Sequence, residues 1–355
     1  MRPVRARVAA GAIALGGVAL ALAACRDTAA PRPDPADARA MFEESWRLFD
    51  RHYAFFGHFR IDWPAARVRH GAALRSDADA ATLASAVCGL VNEARSFHAA
   101  LETPGRRCSW ADAPTYPSGY DSALVERALV APARTRSGEL RVARLGAAAG
   151  IGAGEAAIGY LRAGSFARDG WGGDTDEALA RLEGVAALVV DVRGNPGGSE
   201  GVALVVAGRF ADRERVYRLA RFRTGAAHDA FGAPREFRVA PAGRRFAGPV
   251  AVLTDRGVHS AAENFVEMLR VLPQVVTVGD TTFGTASNPR AASLPNGWTL
   301  RIPQSIETTP DGLVVEGHGL PPAVAVRLDP ADRARGHDTI LRAAVAALAR
   351  RLAAR

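Results

Sequence analysis

A serine stands where a strand-like apolar run gives way to a helix. In VLTDRGVHSAAENF, residues 252–265, Ser260 follows a short apolar segment and a turn. Ser260 and Glu263 fit a capping box, in which each side chain satisfies a free backbone N–H of the other residue. A serine hydroxyl can also attack a carbonyl carbon when a base takes its proton. This stretch alone leaves a helix cap and a nucleophile open.

A glycine-rich loop is the second chemical feature. DVRGNPGGSEG, residues 191–201, follows an apolar run and precedes a helical stretch. Its glycines leave backbone N–H groups unobstructed beside a helix N-terminus, where they can bind an anion or a transition-state oxyanion. The G-x-G-x-x-G of dinucleotide sites and the G-K-[S/T] of phosphate loops are both missing. The loop is therefore a plain connection or an oxyanion site.

The composition excludes several chemistries. All 45 basic residues are arginine, so the sequence excludes a Schiff base, a Walker-type phosphate loop and a Ser–Lys dyad. The formal charge is +8, but the arginines are scattered without an aromatic-interleaved patch, so we expect no nucleic-acid partner. No Cys/His cluster has zinc spacing. We expect neither a metal nor a cofactor.

The elements that must position the serine and the loop alternate between strand and helix. Apolar runs at 185–192 and 249–255 are typical of strands buried on both faces, and each leads into one of the two features. Asn296 and Gly297, between two alternating runs, predict a hairpin. Sites in such α/β cores gather where strand carboxyl ends meet helix N-termini.

The remaining segments suggest a division of the chain. Aromatic residues recur at helical spacing between Phe42 and Tyr53, which predicts an N-terminal helical subdomain. The predicted divisions are a signal peptide (1–24), a Pro-rich tether (25–37), the helical subdomain (38–95), a mixed strand and loop region (96–156), an α/β core (157–332) and a C-terminal helix (333–355).

The first 25 residues predict export and lipid attachment. MRPVRAR is a positively charged start, and an apolar run ending in Leu22-Ala23-Ala24-Cys25 follows it. This pattern is a secretory signal, and its end resembles the bacterial lipobox, in which the cysteine is lipidated and becomes the new N-terminus. We expect a protein anchored through Cys25 in the cell envelope, facing the periplasm or the exterior. The alternative is an ordinary signal peptide with a chance cysteine.

Two further cysteines, Cys88 and Cys108, flank His98. In an oxidising compartment they can pair, although buried free thiols are an alternative that sequence cannot settle. We predict a Cys88–Cys108 disulfide, because the predicted export signal would deliver the protein to an oxidising compartment.

Six stretches follow one another along the chain, namely GYLRAGSF, VVDVRGNPGG, VLTDRGVHSAAENF, VVTVGDTTFGTASNP, LPNGW and VVEGHGLPP. Taken together and in this order, they resemble the carboxyl-terminal processing (tail-specific) proteases and their relatives with a tricorn-protease core. The resemblance covers roughly residues 38–328 and implies a crotonase-like core built of ββα turns. A PDZ domain is common in these proteases, but the stretch between His98 and Ala157 leaves little room for one, so we expect none. LVNEARSFHAAL near the end of the helical part is also similar to a family stretch.

The resemblance implies that Ser260 is the nucleophile. It implies oxyanion donors on the backbone of Gly198 and of Ala261. One branch of the family uses a lysine 25 residues after the serine, where this chain has Thr285. Since the chain has no lysine, the resemblance points to the tricorn-like branch, which uses a histidine as the base.

In that branch the histidine corresponds to His98 and the supporting carboxylate to Glu316. A carboxylate in this role fixes the imidazole tautomer and stabilises the imidazolium. The branch has a serine directly before the histidine, whereas here Phe97 intervenes and Ser96 is two residues back. A serine member of the relay is therefore not expected, and His318, beside the proposed carboxylate, is the alternative base.

These features predict a secreted, membrane-anchored serine endopeptidase that cleaves a peptide or protein substrate through a Ser-His-Glu relay. The alternative is a catalytically silent peptide- or ligand-binding lipoprotein on the same core, because a fold does not guarantee activity. An acyl-CoA enzyme of the crotonase type is disfavoured by the predicted export signal. The sequence leaves the substrate and the oligomeric state open.

Overall fold

The computed structural model describes residue 34 and residues 36–152, 156–168 and 171–355. The predicted signal peptide, Cys25 and most of the predicted tether lie outside the described residues. Within those ranges, no helix has the length and apolar character needed to cross a membrane.

Helices dominate the described chain up to Glu93, and strands and helices alternate after it. The helices are α1 (Ala38–His52), α2 (Phe56–Phe59), α3 (Trp63–Gly71), α4 (Ala80–Glu93), α5 (Ser122–Ala128), α6 (Trp171–Arg181), α7 (Glu200–Ala207), α8 (Ala261–Arg270), α9 (Pro330–Ala334) and α10 (Thr339–Ala353), with a 3₁₀ turn at Ala147–Ala149. The strands are β1 (Ala100–Thr103), β2 (Arg106–Cys108), β3 (Leu129–Arg134), β4 (Leu140–Leu145), β5 (Ile158–Ala163), β6 (Ala187–Asp191), β7 (Arg215–Phe222), β8 (Arg235–Val239), β9 (Val250–Thr254), β10 (Val275–Gly279), β11 (Pro289–Ser293), β12 (Thr299–Pro303), β13 (Ser305–Thr308) and β14 (Val324–Ala325).

A seven-stranded sheet in the order β14-β10-β9-β6-β5-β4-β3 forms the core. The strands from β14 to β5 are parallel, and β4 and β3 are antiparallel. In β6, Leu188 and Val190 pack in one apolar cluster with α6, α7 and α8, while Ala187 and Val189 pack in another with α10. The prediction of an α/β core whose strands are buried on both faces is confirmed.

The N-terminal helices pack on a second sheet, in the order β11-β12-β1-β2. An apolar cluster fills the interface between these helices and the sheet. It contains the aromatic residues between Phe42 and Tyr53 that are spaced for one helix face, together with Leu300 and Ile302 of β12. β11 and β12 pair around Asn296-Gly297, which confirms the predicted hairpin. β1 begins two residues after His98 and pairs with β12, so this second sheet holds the chain immediately after His98.

A disulfide joins Cys88 on α4 to Cys108 on β2, as predicted. The closed segment carries His98, and the bridge holds both of its ends.

A third sheet, β13-β7-β8, packs against α8 and was not predicted. Arg218 of β7 is 1% exposed, and its guanidinium forms ion pairs with Glu267 of α8 and Glu307 of β13. These buried pairs fasten the helix that begins after Ser260.

Candidate active site

Ser260 lies on a sharp turn between β9 and α8. The backbone at Ser260 has φ 53° and ψ −126°, and residues other than glycine rarely adopt a positive φ. Such strained backbone clusters at functional sites. The Ser260 side chain makes no capping hydrogen bond to the helix. The Glu263 N–H donates instead to the Ser260 carbonyl at 2.8 Å, so the hydroxyl is free for another partner.

Glu263 completes only its own half of the predicted capping box. Its buried carboxylate is hydrogen-bonded by the Ser260 backbone N–H. It also accepts from the Thr282 hydroxyl at 2.5 Å and from the backbone N–H groups of Gly284 and Thr285 at 2.7 and 2.6 Å. Burial raises the pKa of Glu263 to about 7, and these donors oppose the rise. Glu263 therefore ties the serine turn to the segment after β10.

His98 is hydrogen-bonded to Ser260. Its Nε2 lies 3.1 Å from the Ser260 Oγ, and its Nδ1 lies 2.5 Å from the Ser287 carbonyl oxygen. A carbonyl can only accept, so Nδ1 carries the proton and the lone pair of Nε2 faces the serine hydroxyl. Burial lowers the pKa of His98 to about 4, although the Ser287 carbonyl opposes the shift. The imidazole is thus a neutral acceptor for the serine proton at neutral pH.

Glu316 does not contact the imidazole ring, contrary to the sequence expectation of a direct orienting carboxylate. It is 2% exposed, and its Oε1 accepts from the Ser96 hydroxyl at 2.6 Å. Its Oε2 accepts from the Ser287 N–H at 3.3 Å. The physical reason is that the Ser287 carbonyl already occupies Nδ1 of His98. Burial raises the pKa of Glu316 to about 8.

Ser96 belongs to this arrangement despite the intervening Phe97. Its buried hydroxyl donates to Glu316 and accepts from the backbone N–H of His98 at 3.3 Å. Ser96 therefore supports the main chain of His98 rather than the ring. The Ser96–Glu316 and His98–Ser287 hydrogen bonds were not predicted, because Glu316 and Ser287 lie far from Ser96 and His98 along the chain.

The backbone N–H groups of Gly198 and Ala261 are available as anion donors. Gly198 forms a parallel bridge with Phe166, in which Phe166 donates to Gly197 and Ser199 donates to Phe166, each at 2.8 Å. In this pattern the N–H of Gly198 itself points to the opposite side. Within the described residues neither Gly198 N–H nor Ala261 N–H has an acceptor.

The glycine loop lies directly against the nucleophile. A Cβ at Gly197 would lie 2.9 Å from both the Ala261 nitrogen and the Ser260 Cβ, a distance that a side chain there could not keep. Only glycine therefore lets the loop approach the serine turn so closely. The predicted oxyanion donors accordingly come from two segments that meet at Ser260.

Asn195 links the loop to the nucleophile turn. Its Oδ1 accepts from the Gly197 N–H at 2.8 Å, and its Nδ2 donates to the Ala163 carbonyl at 3.0 Å. Its own carbonyl accepts from the His259 N–H at 3.1 Å, immediately before Ser260. Asn195 was not singled out in the sequence, although a fully buried amide in a glycine loop is the kind of residue that fixes a loop shape.

The alternative base lies elsewhere. The His318 ring packs against the ring of His58, with centroids 5.1 Å apart, and the His58 Nε2 lies 3.1 Å from the Glu316 carbonyl oxygen. Thr285 occupies the position of the lysine in the Ser–Lys branch, and its backbone N–H donates a hydrogen bond to the Glu263 carboxylate. Its buried hydroxyl has no partner among the described residues. In the same ranges, no three His, Cys, Asp or Glu residues are grouped to hold a metal.

The fold and site define an α/β core with a serine–histidine pair at a strand–helix junction. Residues 157–326 match the model for peptidase family S41. The carboxy-terminal processing protease CtpB of Bacillus subtilis (strain 168) is 28% identical over 172 residues, which cover 48% of this chain and 34% of that protein. The chain thus spans about a third of the length of the curated relatives it matches.

Solved structures share the fold over most of the chain. A protein of Parabacteroides merdae ATCC 43184, provisionally assigned as a peptidase, has a TM-score of 0.76 at 27% identity, covering 88% of this chain and 96% of that one. Mature CPAF in complex with lactacystin has a TM-score of 0.68 at 12% identity, covering 89% and 99%, a likeness of fold alone. The match of residues 157–326 to this family, together with the similarity to carboxy-terminal processing proteases, confirms the resemblance predicted from the motifs.

Proposed function

We propose that this protein is a serine endopeptidase with Ser260 as nucleophile and His98 as general base. The observation that carries the proposal is the 3.1 Å separation of His98 Nε2 and Ser260 Oγ, combined with the Ser287 carbonyl on Nδ1. Together these contacts fix the tautomer that accepts a proton from the serine. The S41 core and its likeness to carboxy-terminal processing proteases support the same assignment.

The proposed reaction uses the groups in two half-reactions. As the Ser260 Oγ bonds to the peptide carbonyl carbon, His98 Nε2 takes the hydroxyl proton, and the oxyanion accepts from the N–H groups of Gly198 and Ala261. His98 then gives this proton to the leaving amine as the C–N bond breaks. Water, deprotonated by the same nitrogen, hydrolyses the acyl ester and restores the serine.

In this proposal Glu316 is a positioning residue. Its raised pKa leaves it largely protonated at neutral pH, so it does not supply a full negative charge to the imidazolium. It holds Ser96 and Ser287, and these residues hold the main chain and the ring of His98. The Ser-His-Glu relay predicted from the sequence becomes a Ser-His pair whose geometry depends on the glutamate.

We also propose that the substrate is a peptide or protein in the cell envelope and that Cys25 anchors the enzyme to a membrane. Support comes from the positively charged start, the apolar run and the Leu22-Ala23-Ala24-Cys25 ending of the predicted signal. The Cys88–Cys108 bridge is compatible with an exported protein, because disulfides persist in oxidising compartments.

Hydrolysis of a peptide library derived from digested proteins tests the activity. The wild-type protein should cleave the library, whereas Ser260→Ala and His98→Ala should each reduce cleavage by at least a thousandfold. Ser85→Ala and His52→Ala are matched controls on the helical subdomain and should keep full activity. Undiminished cleavage by Ser260→Ala would exclude the mechanism, and no cleavage by the wild type would favour the silent binding protein.

A further inference from the structure

Four aromatic rings form a continuous wall beside the Ser260–His98 pair. Phe97 directly precedes His98, and His259 directly precedes Ser260. The centroid of Phe97 lies 5.7 Å from that of His259 and 5.6 Å from that of Phe283. Phe283 stacks on His259 at 4.1 Å, and Tyr116 extends the row at 5.9 Å from Phe283. We call these four residues the aromatic wall.

The wall is only partly covered by the protein itself. Phe283 is 8% exposed, whereas Phe97 and Tyr116 are 38% and 42% exposed. The other large apolar side chains that are exposed among the described residues are aliphatic, namely Val68, Val130, Leu204 and Val205. Both exposed rings pack on Phe283, so they belong to one aromatic patch, and exposed apolar patches mark ligand-binding sites.

The wall is held in shape before any ligand binds. The Phe283 N–H donates to the Val258 carbonyl at 3.0 Å, which fixes the ring beside the serine turn. The Arg256 guanidinium lies over the Tyr116 ring at 4.8 Å and donates to the Thr282 carbonyl at 3.2 Å. Prolines on both sides of Tyr116 restrict its loop further. Little ordering remains to oppose binding.

The chemistry of the wall selects an apolar occupant. The faces offered are carbon-rich rings, and burial lowers the pKa of His259, so this imidazole is neutral at neutral pH. Rings of this kind favour aromatic and large aliphatic partners by offset or edge-to-face packing. A peptide whose carbonyl carbon reaches Ser260 places the side chain of a residue next to the scissile bond within reach of Phe97 and His259.

Resting on the proposed peptidase function, we propose that the aromatic wall is a specificity site for a large apolar side chain adjacent to the scissile bond, with phenylalanine, tyrosine and leucine preferred. Phe97, the residue that interrupts the serine–histidine spacing of the related branch, is the specificity-determining residue at the inner end. Tyr116 closes the outer end.

Cleavage-site profiling of the same peptide library tests this site. The wild type should cleave sites with Phe, Tyr or Leu at one adjoining position at least tenfold faster than sites with Ala or Asp there. Phe97→Ala and Tyr116→Ala lie on separate segments. Each should reduce the preference for Phe, Tyr or Leu sites to a few-fold or less, while cleavage at Ala sites continues. Val130→Ala, a matched exposed apolar residue on edge strand β3, should keep the wild-type profile.

Three outcomes separate this inference from the proposed function. Cleavage whose profile lacks the apolar preference, or keeps it in both aromatic variants, would overturn the wall and leave Ser260 as the nucleophile. Reaction of Ser260 with a fluorophosphonate without cleavage of any peptide in the library, apolar sites included, would also overturn it. Absence of both reaction and cleavage would overturn the proposed function itself.

Discussion

Mild acidification should leave the reactivity of Ser260 almost unchanged. The base must be neutral to accept the serine proton, and burial of His98 lowers its pKa to about 4. At about pH 5.5 that value leaves ~97% of the imidazole neutral, whereas the ordinary value of ~6.5 would leave ~9%. The structure therefore predicts a difference of roughly tenfold between a buried and an ordinary histidine at this pH.

The rate of reaction with a fluorophosphonate measures this without a known peptide substrate. Between about pH 7.5 and 5.5 the second-order rate constant should fall by less than about twofold, with its main decline near pH 4. The spontaneous hydrolysis of the reagent at each pH is the control, and circular dichroism checks that the fold persists. A tenfold decline with a midpoint near ~6.5 would refute the argument from burial.

The same shift has a consequence for stability. Between about pH 6.5 and 4 the unfolded chain binds a proton at His98 and the folded protein does not. The free energy of unfolding should therefore fall as the pH decreases through this window, by at most roughly 3 kcal/mol from this residue. The part of the decline due to His98 should be missing from His98→Ala in parallel urea titrations, and equal declines in both proteins would contradict it.

Four further changes test separate parts of the account. Thr285→Ala should alter the rate of reaction with the fluorophosphonate by less than about twofold. The lost hydroxyl has no partner among the described residues, and the backbone N–H of residue 285 still donates to the Glu263 carboxylate. A tenfold loss would contradict this prediction. The double substitution Cys88→Ser and Cys108→Ser should lower the free energy of unfolding by roughly 3 kcal/mol in urea titration, because the lost disulfide spans 20 residues. An unchanged unfolding midpoint would contradict this prediction. Glu316→Gln should reduce kcat by roughly tenfold at similar KM, because the amide nitrogen cannot accept the hydrogen bond from Ser96 or Ser287 that a carboxyl oxygen accepts even when protonated. A loss as large as that of Ser260→Ala would argue against a positioning role. Cys25→Ser should move the protein from the membrane fraction to the soluble fraction or leave it unprocessed, and a wild-type protein without acyl mass would refute the anchor.

The local features of the core were predictable from the sequence. The buried strands β6 and β9 are continuous apolar runs, and each leads into one of the two chemical features, so their shared edge follows from α/β topology. The hairpin around Asn296-Gly297 follows from turn chemistry. The pairing of Cys88 with Cys108 was inferred from the expected compartment.

The contacts that set the geometry of the site were not predictable in the same way. Ser287 and Glu316 reach His98 and Ser96 across 189 and 220 residues, so no local spacing indicates them. The capping box was half correct because the left-handed backbone at Ser260 directs the hydroxyl to His98 rather than to the helix. The third sheet was missed because a buried arginine, Arg218, makes a strand appear solvated until its acidic partners are known.

Mapping the residue that reacts with a fluorophosphonate tests the central claim most directly. The full-length protein should acquire one adduct, and peptide mass spectrometry should place it on Ser260. The reaction should vanish in Ser260→Ala and slow by at least a hundredfold in His98→Ala, because the serine then has no base, while Ser85→Ala and His52→Ala react normally. An adduct on another residue, or an undiminished rate in His98→Ala, would contradict the assignment of the Ser260–His98 pair.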